Sequence, residues 1–213
     1  MRFLNESQEN MASAPKTLLQ IAGAPLHPSA LDKSALVIID AQLEYTKGSL
    51  PLDGVDAAIV EAAKLLTLAR KSGVPVFHIV QHAPSGRPLF AEDGPFAAIV
   101  PLLTPAAGEV VVRKTLPNSF AGTDLDALVK STGRSELILA GFMTHMCVSA
   151  TARAALDLKY RTTIVANATA TCSLPDPLGG LIPASVVHRV ALTELADRFA
   201  IVVKDTAALT AAA

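Results

Sequence analysis

Long hydrophobic runs, basic clusters and cysteines are all scarce in this chain, and each shortage excludes a class of protein. The longest apolar stretches are broken by Pro, Gly or charge well short of the ~20 residues that a membrane-spanning helix needs, so no membrane partner is expected. The opening residues, MRFLNESQENMASAPK, hold no apolar core of the signal-peptide kind, which makes the cytoplasm the expected compartment. A formal net charge of −1, with no block of Lys or Arg, offers no electrostatic footprint for nucleic acid. The chain has 2 cysteines, Cys147 and Cys172. A lone disulfide is not expected in a reducing compartment, so both are read as thiols. There is no internal repeat, and the one biased tract is the Ala-rich ending TAALTAAA, which is expected to fray.

What the chain has in quantity is apolar residues. A hydrophobic content of 51% against 17% charged residues supports a sizeable core and excludes disorder. A length of 213 residues fits one large domain. Residues 1–33, rich in Ala, Pro, Ser and polar residues around the short apolar piece TLLQIAGA, read as an N-terminal arm. The domain is expected over 34–204, with 205–213 as a tail.

Within it, short apolar runs alternate with helical periodicity. ALVIID (35–40), VPVFHIV (74–80), EVVVRK (109–114), ELILAG (136–141), RTTIVAN (161–167) and AIVVK (200–204) have the length and composition of strands. Helices are expected at VDAAIVEAAKLLTLARKSG (55–73), TDLDALVKSTG (123–133), the segment containing Cys147, and PASVVHRVALTELADRF (183–199). Strands apolar on both faces and separated by helices imply a parallel sheet covered on both sides. Residues 81–108 read as a long loop with at most a short helix, a candidate lid or subunit contact. Within it, Arg87 and Phe90 could meet substrate or a neighbouring subunit, and FAAIVPLL is a candidate contact.

In an open parallel sheet, ligands bind at the carboxyl ends of the strands, where the strand order reverses. Here the first strand ends in Asp40, the second near His82, the third in Lys114 and the fifth near Asn167. The fourth runs through GFMTHMC to Cys147. An apolar strand has little reason to end in charge at the one edge where a thiol lies. A thiol of pKa ~8.5 is mostly protonated at neutral pH and needs activation. A helix start and a Lys ammonium supply positive potential, and a carboxylate can take the proton and return it to a leaving amine.

The blocks LVIIDAQLEY, VVRKTLPNSFAGTDLDALV, LILAGFMTHMCVSATARAALD and HRVALTELADRFAIVV, in this order and spacing, resemble the isochorismatase-like cysteine hydrolases, the family of nicotinamidase and N-carbamoylsarcosine amidohydrolase. The resemblance covers roughly 34–204. It implies a three-layer α/β/α sandwich, Rossmann-like, around a six-stranded parallel sheet of order 3-2-1-4-5-6. It also implies a catalytic triad of Asp40, Lys114 and Cys147. The Phe142–Met143 peptide would be cis, turning the Met143 N–H inward to form an oxyanion hole with that of Cys147. Gln42, Tyr45, Phe120, Phe142 and His145 are taken as pocket residues, and association into a dimer or larger homo-oligomer is implied.

Nicotinamidases hold a metal through an acid and two histidines after the second strand, in an Asp-x-His context. Here VFHIVQHAPSG offers His78 and His82 with no matching acid, so neither a metal nor another cofactor is expected. His78, His188 and Cys172 are read as structural. The expected activity is hydrolysis of a small amide or related C–N bond through a thioester. Two readings stand beside it: a vinyl-ether hydrolase of the isochorismatase type, which needs no thiol, and a non-hydrolytic, redox-responsive oligomeric module.

Overall fold

A computed structural model describes residues 14–210 of the chain. The order of elements is α1 (Leu18–Ile21), β1 (Ser34–Ile39), α2 (Val55–Lys71), β2 (Val76–Gln81), β3 (Val110–Lys114), α3 (Leu125–Ser131), β4 (Glu136–Phe142), α4 (Ser149–Asp157), β5 (Arg161–Ala170), β6 (Leu174–Pro175), β7 (Leu181–Ile182), α5 (Ala184–Arg198) and β8 (Ile201–Val203). Strands β6 and β7 form a separate antiparallel ribbon. The others make one six-stranded sheet of order β3-β2-β1-β4-β5-β8, every neighbouring pair parallel. This is the 3-2-1-4-5-6 order implied by the resemblance, with β8 as the sixth strand.

The alternation of side chains along β1 sorts the interior into two cores. Leu36 and Ile38 face a layer made chiefly by α2, with Ala58, Ala62, Leu65 and Leu66. Ala35, Val37 and Ile39 face Leu125 and Val129 of α3, Ala152 of α4 and Leu195 of α5. Each fully buried Leu in these layers contributes about 1.5–3 kcal/mol relative to an exposed one.

Between β1 and β4 the backbones lie very close at one point. Gly141 pairs with Ile39 and has φ of 112°, and a Cβ there would run into the Ile39 carbonyl oxygen and amide nitrogen. Only glycine fits both the backbone angle and the space.

Two expectations change at the periphery, for Phe90 and for the tail, while the long loop keeps its expected form. Phe90 does not reach outward; it is 8% exposed, with its ring 5.3 Å from that of Tyr45. The segment 82–109 contains one 3-10 turn, Pro101–Leu103, and is pinned through Val100 and Leu103, both buried, and a bridge between Gln42 and Ile99. The apolar contacts available near Tyr45 and α2 hold it down. The tail is not frayed over Thr206–Leu209, which forms a 3-10 turn. Leu209 is buried against the α2 core, and the Thr206 N–H donates to Glu61 Oε1 at 2.7 Å. Residues 211–213, like residues 1–13 of the arm, lie outside the described residues. The rest of the arm is tied down: the Leu18 N–H donates to Asp197 of α5, and the Ser29 N–H donates to Thr163 Oγ1 of β5. Among the described residues, no helix is long and apolar enough to cross a membrane.

His78, buried in β2, places Nε2 2.8 Å from Glu109 Oε2, and Arg70 donates to the same carboxylate from Nε at 2.7 Å and Nη2 at 2.9 Å. Hydrogen bonds from Arg70, outweighing burial, hold the Glu109 carboxyl at about 2 instead of 4.5.

Two outcomes follow for stability. Gly141→Ala is expected to cost about 3 kcal/mol or more in a urea melt; an unchanged midpoint would contradict the β1–β4 approach. Because the folded pKa of Glu109 is depressed, its contribution is full above 4.5 and is lost as pH falls toward about 2. The wild type should therefore lose stability across that window more steeply than Glu109→Gln, as measured by acid titration of the melting temperature.

Candidate active site

Asp40, Lys114 and Cys147 come together at the carboxyl edge of the sheet, on three different elements. Asp40 follows β1 with φ of 50°, a left-handed turn that an Asp tolerates better than most residues, and its N–H donates to the Ile79 carbonyl at 2.9 Å. The residue is fully buried. Lys114 ends β3, an edge strand, and reaches over the end of β2. Its Nζ lies 2.7 Å from Asp40 Oδ2 and 3.4 Å from Cys147 Sγ. A third acceptor, Gln81 Oε1, lies 2.6 Å away. Of the three N–H donors of the ammonium, two are used by Gln81 and Cys147, and the Asp40 carboxylate lies in ion-pair contact. Lys114 is the one lysine or arginine among the described residues that is buried.

Cys147 occupies a π-helical turn, Thr144–Val148, that leads straight into α4. The Met143 carbonyl accepts the N–H groups of Met146 and Val148, at 3.0 and 3.2 Å, and so closes the turn that carries the thiol. The Phe142–Met143 peptide is cis. Cys147 itself is 5% exposed.

Burial decides the protonation of this group. Desolvation, then the negative charge of Asp40, push the Cys147 thiol up to about 12 against the pull of Lys114. Desolvation likewise raises Asp40 above the ordinary carboxylate range, with Lys114 opposing. The site therefore rests with its sulfur protonated, despite the helix start and the ammonium. Asp40 Oδ1, buried and without a hydrogen-bond partner among the described residues, is an acceptor free for that proton.

The five pocket candidates fare differently. Tyr45 is 2% exposed and stands edge-on to Phe142, with ring centroids 5.8 Å apart. Its phenol is pushed upward by burial and then by the negative charges of Asp40 and Cys147. Phe142 contributes its backbone to the site edge while its ring is wholly in the α2-side core. Gln42 is a brace: its Nε2 donates to the Gln81 and Ala97 carbonyls at 3.0 and 2.8 Å, and its Oε1 accepts from the Gln81 N–H at 2.8 Å. His145 is hydrogen-bonded through Nδ1 to Thr171 Oγ1, away from a direct Cys–His pairing. Phe120 stacks on Tyr160 with centroids 6.0 Å apart and planes 11° apart.

Sequence reading missed Gln81. Phe77, Ile79 and Gln81 follow one another at every second position of β2, and Gln81 pairs in register with Lys114. The signal was that alternation, lost by ending the strand one residue early. His82 stands immediately after β2, as expected, and places Nε2 3.0 Å from Glu92 Oε2. His188 holds Thr144 Oγ1 at 2.9 Å, bracing the start of the thiol-bearing turn. Cys172, half-buried, has its Sγ 3.9 Å from Met143 Sδ. Among the described residues no three His, Cys, Asp or Glu side chains are grouped to hold a metal ion. A cleft of about 940 Å³ lies beside the site, lined by Asp53, Asn167, Thr171 and His188 among others, and by none of the three triad residues.

The family described as the isochorismatase domain matches residues 34–207. A secreted isochorismatase effector of Verticillium dahliae is 35% identical over 183 residues, covering 86% of this chain and 94% of that protein. That relative is by name secreted, whereas the sequence here led to the cytoplasm as the expectation. Maleamate amidohydrolase of Pseudomonas putida is 36% identical over 152 residues, covering 62% of this chain and 70% of that protein. The crystal structure of an isochorismatase from Pseudomonas putida aligns with a TM-score of 0.87 at 40% identity, covering 92% of this chain and 99% of that one.

A thiol held near pKa 12 is expected to alkylate slowly. Iodoacetamide at neutral pH should modify Cys147 more than about tenfold more slowly than a free thiol of pKa ~8.5. Peptide mass spectrometry would follow each cysteine separately. Faster modification than the free thiol would mean that the sulfur rests as thiolate.

Proposed function

The chain belongs to the isochorismatase family, and from that premise we propose that it hydrolyses a small amide through a thioester on Cys147. The observation that carries this reading is the pair of contacts from the Lys114 ammonium, 2.7 Å to Asp40 and 3.4 Å to Cys147. A base, a cation and a nucleophile within one hydrogen-bonded group are what acyl transfer needs. The similarity to maleamate amidohydrolase supports amide chemistry. The tight access to the thiol suits a small molecule.

In the proposed reaction, Asp40 takes the Cys147 proton as the sulfur attacks the carbonyl carbon. A sulfur–carbon bond forms and the carbonyl π electrons move onto oxygen. The N–H groups of Met143 and Cys147 are assigned to that oxyanion, where preorganised donors act most strongly. Collapse breaks the carbon–nitrogen bond, and Asp40 returns its proton to the leaving nitrogen, which departs as ammonia. Asp40 then takes a proton from water, the resulting hydroxide attacks the thioester, and the acid leaves as the protonated thiol is restored. Lys114 keeps its charge throughout and offsets the negative charge as it moves from Asp40 to sulfur to oxyanion. Residues 34–204 are assigned as the catalytic domain, since β1 opens at Ser34 and β8 closes at Val203.

Ammonia release from a panel of small amides, compared between wild type and Cys147→Ala, tests the reading. Turnover should fall by about 10³-fold or more in the variant, with its melting temperature nearly unchanged. Full turnover in Cys147→Ala would overturn it. Pyruvate release from isochorismate, independent of Cys147, would assign the chain to vinyl-ether hydrolysis instead.

A further inference from the structure

We infer that α5 is a self-association surface, on which two copies of this chain pack antiparallel with Arg189 of each facing the partner's Glu194. The first ground is the pattern of the helix. Ala184, Ala191 and Leu195 bury one face of α5. The opposite face is a stripe of Val186, Arg189, Val190, Thr193, Glu194 and Asp197 at helical spacing. Its two valines, one turn apart, are 46% and 51% exposed. A helix that is apolar on both faces is one that gets covered on both.

The second ground is the shape and setting of that face. The stripe floors a groove of about 900 Å³ walled by Pro15, Lys16 and Thr17 of the arm. From Ser185 to Asp197 the groove follows ~18 Å of helix, at ~1.5 Å per residue, which is room for a helix of the same kind. A standard interface takes ~800 Å² from each partner, so one stripe needs apolar neighbours. They are present: Leu18 and Ile21 of the arm, packed against α5, and Leu178 and Leu181 of the ribbon that leads into it are all exposed. The apolar stretch FAAIVPLL, expected as a contact, has less to offer, since Val100 and Leu103 are already buried.

The third ground is the order of charge, and it selects a second copy as the occupant. Along the stripe the base comes first, Arg189, and the acids follow, Glu194 and Asp197. In an isologous pair the same patch must complement itself. A two-fold axis crossing α5 between Ala191 and Leu192 sets Arg189 against the partner's Glu194 and Val190 against the partner's Thr193. Both charge pairs are then attractive, and they flank a neutral centre. A parallel pairing in register would instead place like charges side by side. Within its own chain Glu194 meets Arg153 Nη2 through Oε2 at 3.0 Å, which leaves Oε1 for a second donor.

Charge reversal tests both the surface and the register. In analytical ultracentrifugation of the full chain, the wild type should sediment as a dimer or a multiple of one. Arg189→Glu and Glu194→Arg each set like charges opposite one another twice per pair, so each should weaken that dimer at least about tenfold. Mixing the two variants in equal amounts should restore it, because every reversed residue then meets its opposite on the partner. Both positions are exposed, and circular dichroism should show both variants folded. A folding defect would not be repaired by mixing. A monomeric wild type would overturn the inference. So would an oligomer indifferent to either reversal, or single variants that stay apart when mixed. The measurement reads mass alone and leaves the amide reading untouched.

Discussion

A lysine ammonium buried at the edge of a parallel sheet is the constraint around which this molecule is arranged. Taking such a charge out of water costs several kcal/mol unless it is paired and its donors are satisfied. Lys114 meets that demand with acceptors from three separate elements, a carboxylate after β1, an amide at the end of β2 and a sulfur before α4. Each of those elements must therefore end where it does. The sheet order supplies the geometry, since β3, β2 and β1 are consecutive neighbours and β4 lies on the far side of β1. Gly141 lets β4 approach β1 closely enough for the following turn to bring Cys147 back over the edge.

The site also lies on the seam between the two cores. Cys147 packs with the α3, α4 and α5 layer, while Tyr45, Phe142 and Phe90 pack with the α2 layer. Side chains from both layers thus close over Asp40, and that enclosure is what raises both the acid and the thiol. The same burial that keeps the thiol protonated at rest also raises the affinity of Asp40 for a proton.

Much of this was legible in the amino-acid order, and the failures have a common cause. Strands such as SALVII announce themselves because a parallel strand is buried on both faces. Asp40 and Lys114 stood out because charge at the end of such a strand needs a reason. The order of the strands came from resemblance to a family, since periodicity says nothing about which strand neighbours which. What stayed hidden depends on contacts distant in sequence. Phe90 reads as a loop residue until Tyr45, 45 positions earlier, is placed against its ring, a proximity visible too in the bond from the Phe90 N–H to Glu44 Oε2. Leu209 reads as tail until α2 lies beneath it. Gln81 was lost by one residue at a strand end, where pattern is weakest. The protonation of Cys147 was illegible because it depends on depth, which no local motif records.

The amide of Gln42 has a mechanical consequence. It grips the Gln81 backbone at two points and Ala97 at a third, and Gln81 in turn grips the ammonium. The outer segment and the buried ammonium are thereby geared together through two glutamines, Gln42 and Gln81. Lifting the segment near Ala97 means unfastening a tooth of that gear, and the segment's looseness and the cation's position cease to be independent variables. An enzyme built this way cannot retune its long loop for a new substrate by changing the loop alone; the loop and the end of β2 have to drift as a pair.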